Sequence, residues 1–194
     1  DEPAITVLTP GLGCRASVWS NDPLNYYSEI PAPFKEAPYD YNLKYNSASL
    51  ISAIGSELHY NYDLYYSVVD TGSYELYKLD LNDYSYETNF YDNRVDHIAT
   101  TSKHIVLLFE SSEPNASNQV VYEHLDYMLD TISMQYKDLS GKLPRYNLVG
   151  HSRGGLTNIQ YAIEHPYNVA ALFSMGTPYS GSALGQIDPV LGML

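Results

Sequence analysis

A serine lies between two glycines in segment 150–154, which reads Gly-His-Ser-Arg-Gly and directly follows the apolar run 146–149. A chain that turns sharply from a strand into a helix at this serine exposes its hydroxyl for attack on a carbonyl carbon. Glycine is favoured at 150 and 154 because a Cβ there would meet crowded backbone. The positive end of the helix would favour the negative charge that develops on the attacked oxygen. The pattern predicts a nucleophilic Ser152; a tight turn with an ordinary capping serine is the alternative.

The segments on either side of Ser152 have the periodicity that such a turn requires. Residues 146–149 are typical of a buried strand, and apolar residues recur at helical spacing from 156 to 163. His165-Pro166 is expected to end this helix, because proline is common just beyond a helix C-terminus. Another apolar run at 169–175 predicts the next strand.

Upstream segments complete the prediction of the fold class. Strands are expected at 4–9 and 104–109 and an amphipathic helix at 120–137, after which Gly141 and Pro144 break the chain. Alternating strands and helices predict an α/β fold with a mostly parallel sheet and helices on both faces. Ligands bind such sheets at the carboxyl ends of the strands, where Ser152 is expected to lie.

Tyrosine is the unusual residue of this composition, with 21 copies against 4 Phe and 1 Trp. Half-buried strand and loop positions explain it most simply, and a surface that faces carbohydrate or cell wall is the alternative. A short helix is predicted at 49–58 and a hairpin from the runs 62–69 and 74–81. We expect a single domain over residues 1–194, with a Tyr-rich insertion at about 20–100.

Charge and composition exclude several classes of function. The net charge of −13 argues against nucleic acid as a partner. No apolar run approaches the ~20 residues of a transmembrane helix. Cys14 is the only cysteine, so the chain forms no internal disulfide. The acidic turn 80–83 lacks the glycine and terminal glutamate of a calcium loop, and we predict no metal site and no cofactor.

Motifs at three places, in the expected order, resemble those of the α/β hydrolases, and among them of lipases and related acyl-ester enzymes. They lie after the first strand, at the serine turn and after the next strand: 9–13, 147–155 and 175–182. The last is similar to the Gly-Thr-Pro-His-x-Gly-Ser element of many lipases, with Tyr179 in place of the histidine. The resemblance covers residues 4–14 and 104–185.

The resemblance implies a serine hydrolase that acts on carboxylic esters through an acyl-enzyme on Ser152. It implies an oxyanion hole formed by the backbone N–H groups of Leu12 and Arg153. Gly155 would let the helix pack closely on the sheet. His151 is expected to pack at the turn, because its side chain points away from the serine hydroxyl.

In this family the acid and the histidine of the triad follow the serine in the chain. After Ser152 the only histidine is His165, and the only acids are Glu164 and Asp188. At ~1.5 Å per residue the helix places His165 roughly 20 Å from the nucleophile, so we expect it to cap the helix end. Asp188 follows a strand end on the correct side and is a candidate acid; alternatively it belongs to a cap segment.

The histidines that precede the serine would need an unusual topology to serve as its base. They are His59, His97, His104 and His124, of which the first two stay open because they lie in the unassigned stretch. We expect the chain to be the N-terminal part of a hydrolase domain whose later strands carry the acid and the histidine. The strand at 169–175 would then be an open edge that another copy or a C-terminal segment could cover.

Three classes of function are compatible with these residues. The first is a serine esterase or lipase with an ester or lipid substrate, and the second is an acyltransferase on the same fold. The third is a non-catalytic binding or structural module that kept the serine turn without a full triad. The lipase resemblance and the absence of an initiator Met at position 1 favour a secreted or cell-surface location.

Overall fold

A computed structural model describes the chain at residues 4–14, 19, 50–58, 61–79, 94–102 and 104–181. Ten helices and strands lie within these ranges. They are β1 (Ala4–Thr9), α1 (Leu50–Glu57), β2 (Asp63–Asp70), β3 (Ser73–Leu79), β4 (Arg94–Val95), β5 (Ile105–Ser111), α2 (Asn118–Ser140), β6 (Arg145–His151), α3 (Arg153–Glu164) and β7 (Val169–Met175). Among the described helices, none combines the length and the hydrophobicity that crossing a bilayer requires.

The described strands form one sheet in the order β4-β3-β2-β5-β1-β6-β7. Strands β2, β5, β1, β6 and β7 are parallel, whereas β3 and β4 pair antiparallel at one edge. Every residue of β5 is buried, which explains the continuous apolar run in this segment. The predicted fold class, a mostly parallel α/β sheet, is confirmed.

Helices cover both faces of the sheet, as predicted. Alternate residues of one strand enter two separate cores, because successive side chains of a strand point to opposite faces. Leu107 of β5 packs with buried residues of α2 and with Tyr161 of α3, while its neighbour Leu108 packs with Ile51 of α1. The two helices that follow β5 and β6 therefore share one face, and α1 lies on the other.

Helix α2 is longer than the predicted 120–137 because specific residues cap both of its ends. Ser117 accepts a hydrogen bond from the N–H of Val120 at the N-terminus, at 3.4 Å. Gly141 ends the helix with φ of 73°, a left-handed conformation that favours glycine. Hydrophobic periodicity locates the helix but does not fix its last turn.

The described part of the Tyr-rich insertion adds strands to the sheet. Strands β2 and β3 form the predicted hairpin, paired from Leu64 opposite Leu79 to Asp70 opposite Ser73. β2 lies parallel beside β5, so the hairpin extends the sheet beyond that strand. Tyr65 on this hairpin is 1 % exposed, and tyrosine there fills the core.

A polar group at the start of β2 stabilises this added edge. Asp63 accepts a hydrogen bond from the hydroxyl of Ser102 and forms an ion pair with Lys78 of β3, at 2.9 Å. Burial raises the pKa of Asp63, but these two partners outweigh it and leave the pKa below its ordinary value. The Asp63 carboxylate is therefore more easily ionised in the folded state than in the unfolded chain.

Strand β7 is the last strand of the described sheet, at the edge opposite to the hairpin. It pairs with β6 from Tyr146 opposite Val169 to His151 opposite Met175. Its middle residues are exposed, with Phe173 at 61 %. Within the described residues this edge is open, as the sequence predicts.

Candidate active site

Ser152 occupies the apex between β6 and α3 in a conformation that side chains rarely adopt. Its φ of 52° and ψ of −123° make it the only described non-glycine residue with positive φ. Its backbone N–H donates to the carbonyl of Met175, at 2.8 Å, and its side chain makes no capping hydrogen bond. The Ser152 side chain therefore does not cap α3 in the way of an ordinary capping serine. A strained serine at a strand end is the expected geometry of a nucleophile.

The glycines around Ser152 are required by close contact with neighbouring backbone and side chains. A Cβ on Gly150 would lie 2.5 Å from the backbone nitrogen of Gly155. A Cβ on Gly154 would overlap the carbonyl oxygen of Thr9, and one on Gly155 would overlap the side chain of Thr177. Helix α3 therefore packs directly against the end of β1, which brings the glycine-rich loop beside the serine.

The loop after β1 lies against Ser152, and one of its backbone N–H groups has no acceptor among the described residues. A Cβ on Gly11 would lie 3.0 Å from the Cβ of Ser152. Within this loop the N–H of Gly13 donates to Pro114 at 2.8 Å, and that of Cys14 donates to Gly11 at 3.1 Å. No acceptor among the described residues engages the N–H of Leu12. The resemblance assigns this N–H to an oxyanion hole, and that role stays a prediction.

Arg153 carries the backbone N–H that is expected to be the second donor, and its side chain makes contacts that the sequence does not indicate. Its N–H lies in the first turn of α3, where backbone donors have no partner within the helix. Arg153 is 3 % exposed, and its guanidinium donates to the carbonyls of Ala116, at 2.5 Å, and Pro114, at 2.9 Å. Burial lowers the pKa of Arg153 to about 10, so the group stays charged at neutral pH.

The carbonyl of Pro114 connects the serine turn to the glycine-rich loop. It accepts hydrogen bonds both from the guanidinium of Arg153 and from the N–H of Gly13. The residue that follows Ser152 therefore holds, through one carbonyl, the loop that carries Leu12. No sequence signal reveals this, because Arg153 and Pro114 are 39 positions apart.

A buried hydrogen bond fixes the position of α3 along the end of β1. The hydroxyl of Thr9, at the end of β1, donates to the side-chain oxygen of Asn158 at 2.7 Å, and both residues are fully buried. A buried pair of this kind is costly to break because each group would lose its only compensation for desolvation. This hydrogen bond keeps the end of β1, which leads into the glycine-rich loop, in a fixed position relative to α3, which begins directly after Ser152.

His151 packs beside the serine turn as predicted. Its ring lies edge-on to Trp19, with ring centroids 6.4 Å apart, and burial lowers its pKa. Its Nδ1 has no hydrogen-bond partner among the described residues. A neutral imidazole in this position fills space under the glycine-rich loop.

Three other described histidines make contacts elsewhere. His165 ends α3, where its ring stacks on Tyr161 at 4.6 Å and its Nε2 lies 2.7 Å from Asp126. The expectation that His165 caps the helix is confirmed. His124 is bonded to Ser111, at 2.9 Å, and the Nδ1 of His97 lies 3.3 Å from the carbonyl of Ile98.

No histidine among the described residues forms a hydrogen bond with Ser152. Two candidates for the triad, His59 and Asp188, lie outside the described residues, as does the acidic turn 80–83. The described residues therefore include Ser152 and the backbone N–H groups of Leu12 and Arg153, which are the expected nucleophile and oxyanion donors.

Comparison with known proteins agrees with this geometry. A family model described as the alpha/beta hydrolase fold matches residues 109–194. The solved structure of the product of the Listeria innocua gene lin2722 is similar, with a TM-score of 0.52 and 16 % identity over 93 % of this chain and 53 % of that one. The solved structure of a proposed cell surface hydrolase of Lactobacillus plantarum WCFS1 has a TM-score of 0.48 and 14 % sequence identity. The match covers 92 % of this chain and 55 % of that one. No curated protein sequence matches.

The chain has the α/β-hydrolase fold that its motifs predict. It spans about half the length of the solved structures that it matches.

Proposed function

We propose that this protein is a serine hydrolase that cleaves carboxylic esters through an acyl-enzyme on Ser152. The observation that carries the proposal is the strained backbone of Ser152, held at positive φ beside the glycine-rich loop. Such strain costs on the order of 1–3 kcal/mol and persists where a function requires it. A scaffold without chemistry gains nothing from this cost.

The proposed reaction uses the groups around Ser152 in two steps. The Oγ attacks the carbonyl carbon of the ester while a base takes its proton, and the carbonyl oxygen becomes an oxyanion. The backbone N–H groups of Leu12 and Arg153 donate to that oxyanion. The carbon–oxygen bond to the alcohol then breaks, and the alcohol leaves with the proton. Water attacks the acyl-serine in the same way, releasing the acid and restoring the hydroxyl.

The oxyanion donors account for a large share of the proposed rate. Losing one donor of this type typically costs roughly 2.7–4 kcal/mol of transition-state stabilisation. The donors here need no reorganisation, because Arg153 and Pro114 fix the loop before substrate binds. We propose that the catalytic acid and histidine come from outside the described residues, with Asp188 and His59 as the candidates within the sequence.

Labelling with a fluorophosphonate tests the nucleophile directly. The probe is added to the folded 194-residue chain and to the full-length natural protein that contains it. Ser152→Ala variants of both proteins are treated in parallel, and adducts are detected by intact mass. We expect one adduct that requires Ser152 and that appears in whichever form contains the base. A folded natural polypeptide that gains no adduct, or an adduct that persists in Ser152→Ala, would contradict the proposal.

A panel of p-nitrophenyl esters of increasing acyl length then identifies the substrate class. Adding an alcohol acceptor separates the related acyltransferase activity, because transfer yields a new ester where hydrolysis yields free acid. The second candidate function is a non-catalytic module, which is favoured by the absence of a described histidine at Ser152. It predicts neither adduct nor turnover from any folded form.

A further inference from the structure

Three potential metal ligands converge at the edge of the sheet where its parallel strands end. Asp70 ends β2, Glu113 lies in the loop after β5, and His124 belongs to α2. One ligand atom of each residue lies within 4.8 Å of the other two. Three strand spacings separate β2 from β6, about 14 Å, so this cluster is distinct from Ser152.

His124 is the observation that points to a missing ligand. The residue is 3 % exposed, and its Nδ1 lies 2.9 Å from the hydroxyl oxygen of Ser111. Its Nε2 is buried and has no hydrogen-bond partner among the described residues. Leaving a buried polar atom unpaired is costly, and native proteins rarely do so without a bound water, ion or function.

The hydrogen bond to Ser111 suits a histidine that binds metal. When Nδ1 donates its hydrogen to this hydroxyl, the lone pair of Nε2 is left available for a cation. The same hydroxyl accepts the N–H of Glu113 at 3.1 Å, which places that residue beside the ring. Metal-binding histidines commonly donate their second ring N–H in this way.

The two carboxylates supply charge and geometry for a cation. Asp70 already accepts the N–H of Thr71, at 2.7 Å, and the hydroxyl of Ser112, at 3.1 Å, so its orientation is fixed. Asp70 and Glu113 are both exposed, and their negative charges repel each other at this separation unless a cation lies between them. One imidazole and two carboxylates form the donor set of zinc and similar divalent metals, whereas calcium and magnesium prefer oxygen alone.

We propose that Asp70, Glu113 and His124 bind a divalent cation of the zinc class. The sequence does not predict this site, because its ligands come from three separate elements and no spacing motif connects them. The cation would join the β2–β3 hairpin to the loop after β5. That loop continues into Pro114, whose carbonyl holds both Gly13 and Arg153, so binding would also stiffen the support of the glycine-rich loop.

Titration of the metal-free chain with zinc chloride tests the proposal. After dialysis against EDTA, calorimetry and thermal unfolding are recorded with zinc, calcium and magnesium chlorides at neutral pH. We expect zinc to bind and to raise the melting temperature by roughly 5–10 °C at about a hundredfold excess over its dissociation constant. Calcium and magnesium should change it little. Absence of zinc binding by the folded chain would overturn the proposal.

Variants of the exposed carboxylates locate the site without disturbing the core. Asp70→Asn and Glu113→Gln should each weaken zinc binding by more than about tenfold, while the metal-free proteins unfold at or slightly above the wild-type temperature because one of two repelling charges is removed. Glu123→Gln, an exposed change on the same helix as His124, is the matched control and should bind as wild type. A second cluster, formed by Asp126, Asp130 and His165, is the competing location. Binding that survives Asp70→Asn and Glu113→Gln but is lost in Asp130→Asn would refute the assignment.

Discussion

Replacing Arg153 with methionine tests whether its side chain holds the active-site loops together. Methionine keeps an unbranched apolar stem but removes the hydrogen bonds to Ala116 and Pro114. Hydrogen bonds from a charged group contribute roughly 1.5–3 kcal/mol each, so the expected loss is about 3–6 kcal/mol. The guanidinium is almost fully buried, and solvent therefore cannot replace the lost donors.

Urea unfolding followed by circular dichroism measures this loss. With a slope of about 2 kcal/mol per molar urea, a loss of 3 kcal/mol moves the midpoint about 1.5 M lower. Arg94→Met is the matched control, because its side chain is 58 % exposed and its ion pair with Glu75, at 3.3 Å, contributes at most about 1 kcal/mol. Arg153→Lys should fall between wild type and methionine, since an ammonium cannot reproduce the planar fork of donors.

The reasoning about Arg153 would be refuted by a methionine variant whose stability lies within about 1 kcal/mol of wild type, since the loss of even one of the two hydrogen bonds should exceed that value. A variant too unstable to measure would leave Arg153→Lys as the test, where equality with wild type is the contradictory result. The backbone N–H of residue 153 is present in all three proteins, so any change originates in the side chain.

Further substitutions test the strain, the packing and the charge described above. Ser152→Gly should be more stable than Ser152→Ala by about 1 kcal/mol in urea unfolding, because glycine adopts positive φ without strain. Equal unfolding midpoints would contradict the strained backbone. Gly155→Ala should lower the free energy of unfolding, and adding Thr177→Ala should recover part of this loss because it removes the Oγ1 and Cγ2 atoms that the new Cβ would contact. Strictly additive changes in the free energy of unfolding would argue against this contact. Asp63→Asn should lower stability at neutral pH, because the folded carboxylate has a lowered pKa. The stability difference between Asp63→Asn and wild type should disappear as the pH falls below 3.8, the ordinary pKa of aspartate, and through the lower pKa of the folded state. A stability difference that does not change with pH would show that the Asp63 charge is not its cause.

Local patterns in the sequence predicted most of the elements and the sharp turn at Ser152. The apolar runs at 4–9 and 169–175 became β1 and β7, and the serine turn lies where the glycines placed it. These features depend on neighbouring residues only, because strand alternation, helix periodicity and the steric need for glycine act over a few positions. The two Gly-rich segments also sufficed to suggest the oxyanion donors.

The pairing of distant segments could not be predicted in this way. The hairpin β2–β3 was expected, but its place beside β5 at the far edge of the sheet depends on contacts between strands about 40 positions apart, such as Val69 and Ser111. The structure also shortened the list of candidate bases. It showed that His124 and His165 are engaged by Ser111 and Asp126 instead of by the nucleophile.

The sequence by itself determined that a serine stands at a sharp strand-to-helix turn in an α/β fold. Only the tertiary structure decided that the Arg153 guanidinium supports the loop of Leu12 through Pro114, and that Asp70, Glu113 and His124 meet at one point. The reason is that a turn is specified by steric limits within a few residues. The meeting of side chains from separate strands and helices depends on sheet order and register, which emerge only when the whole core packs.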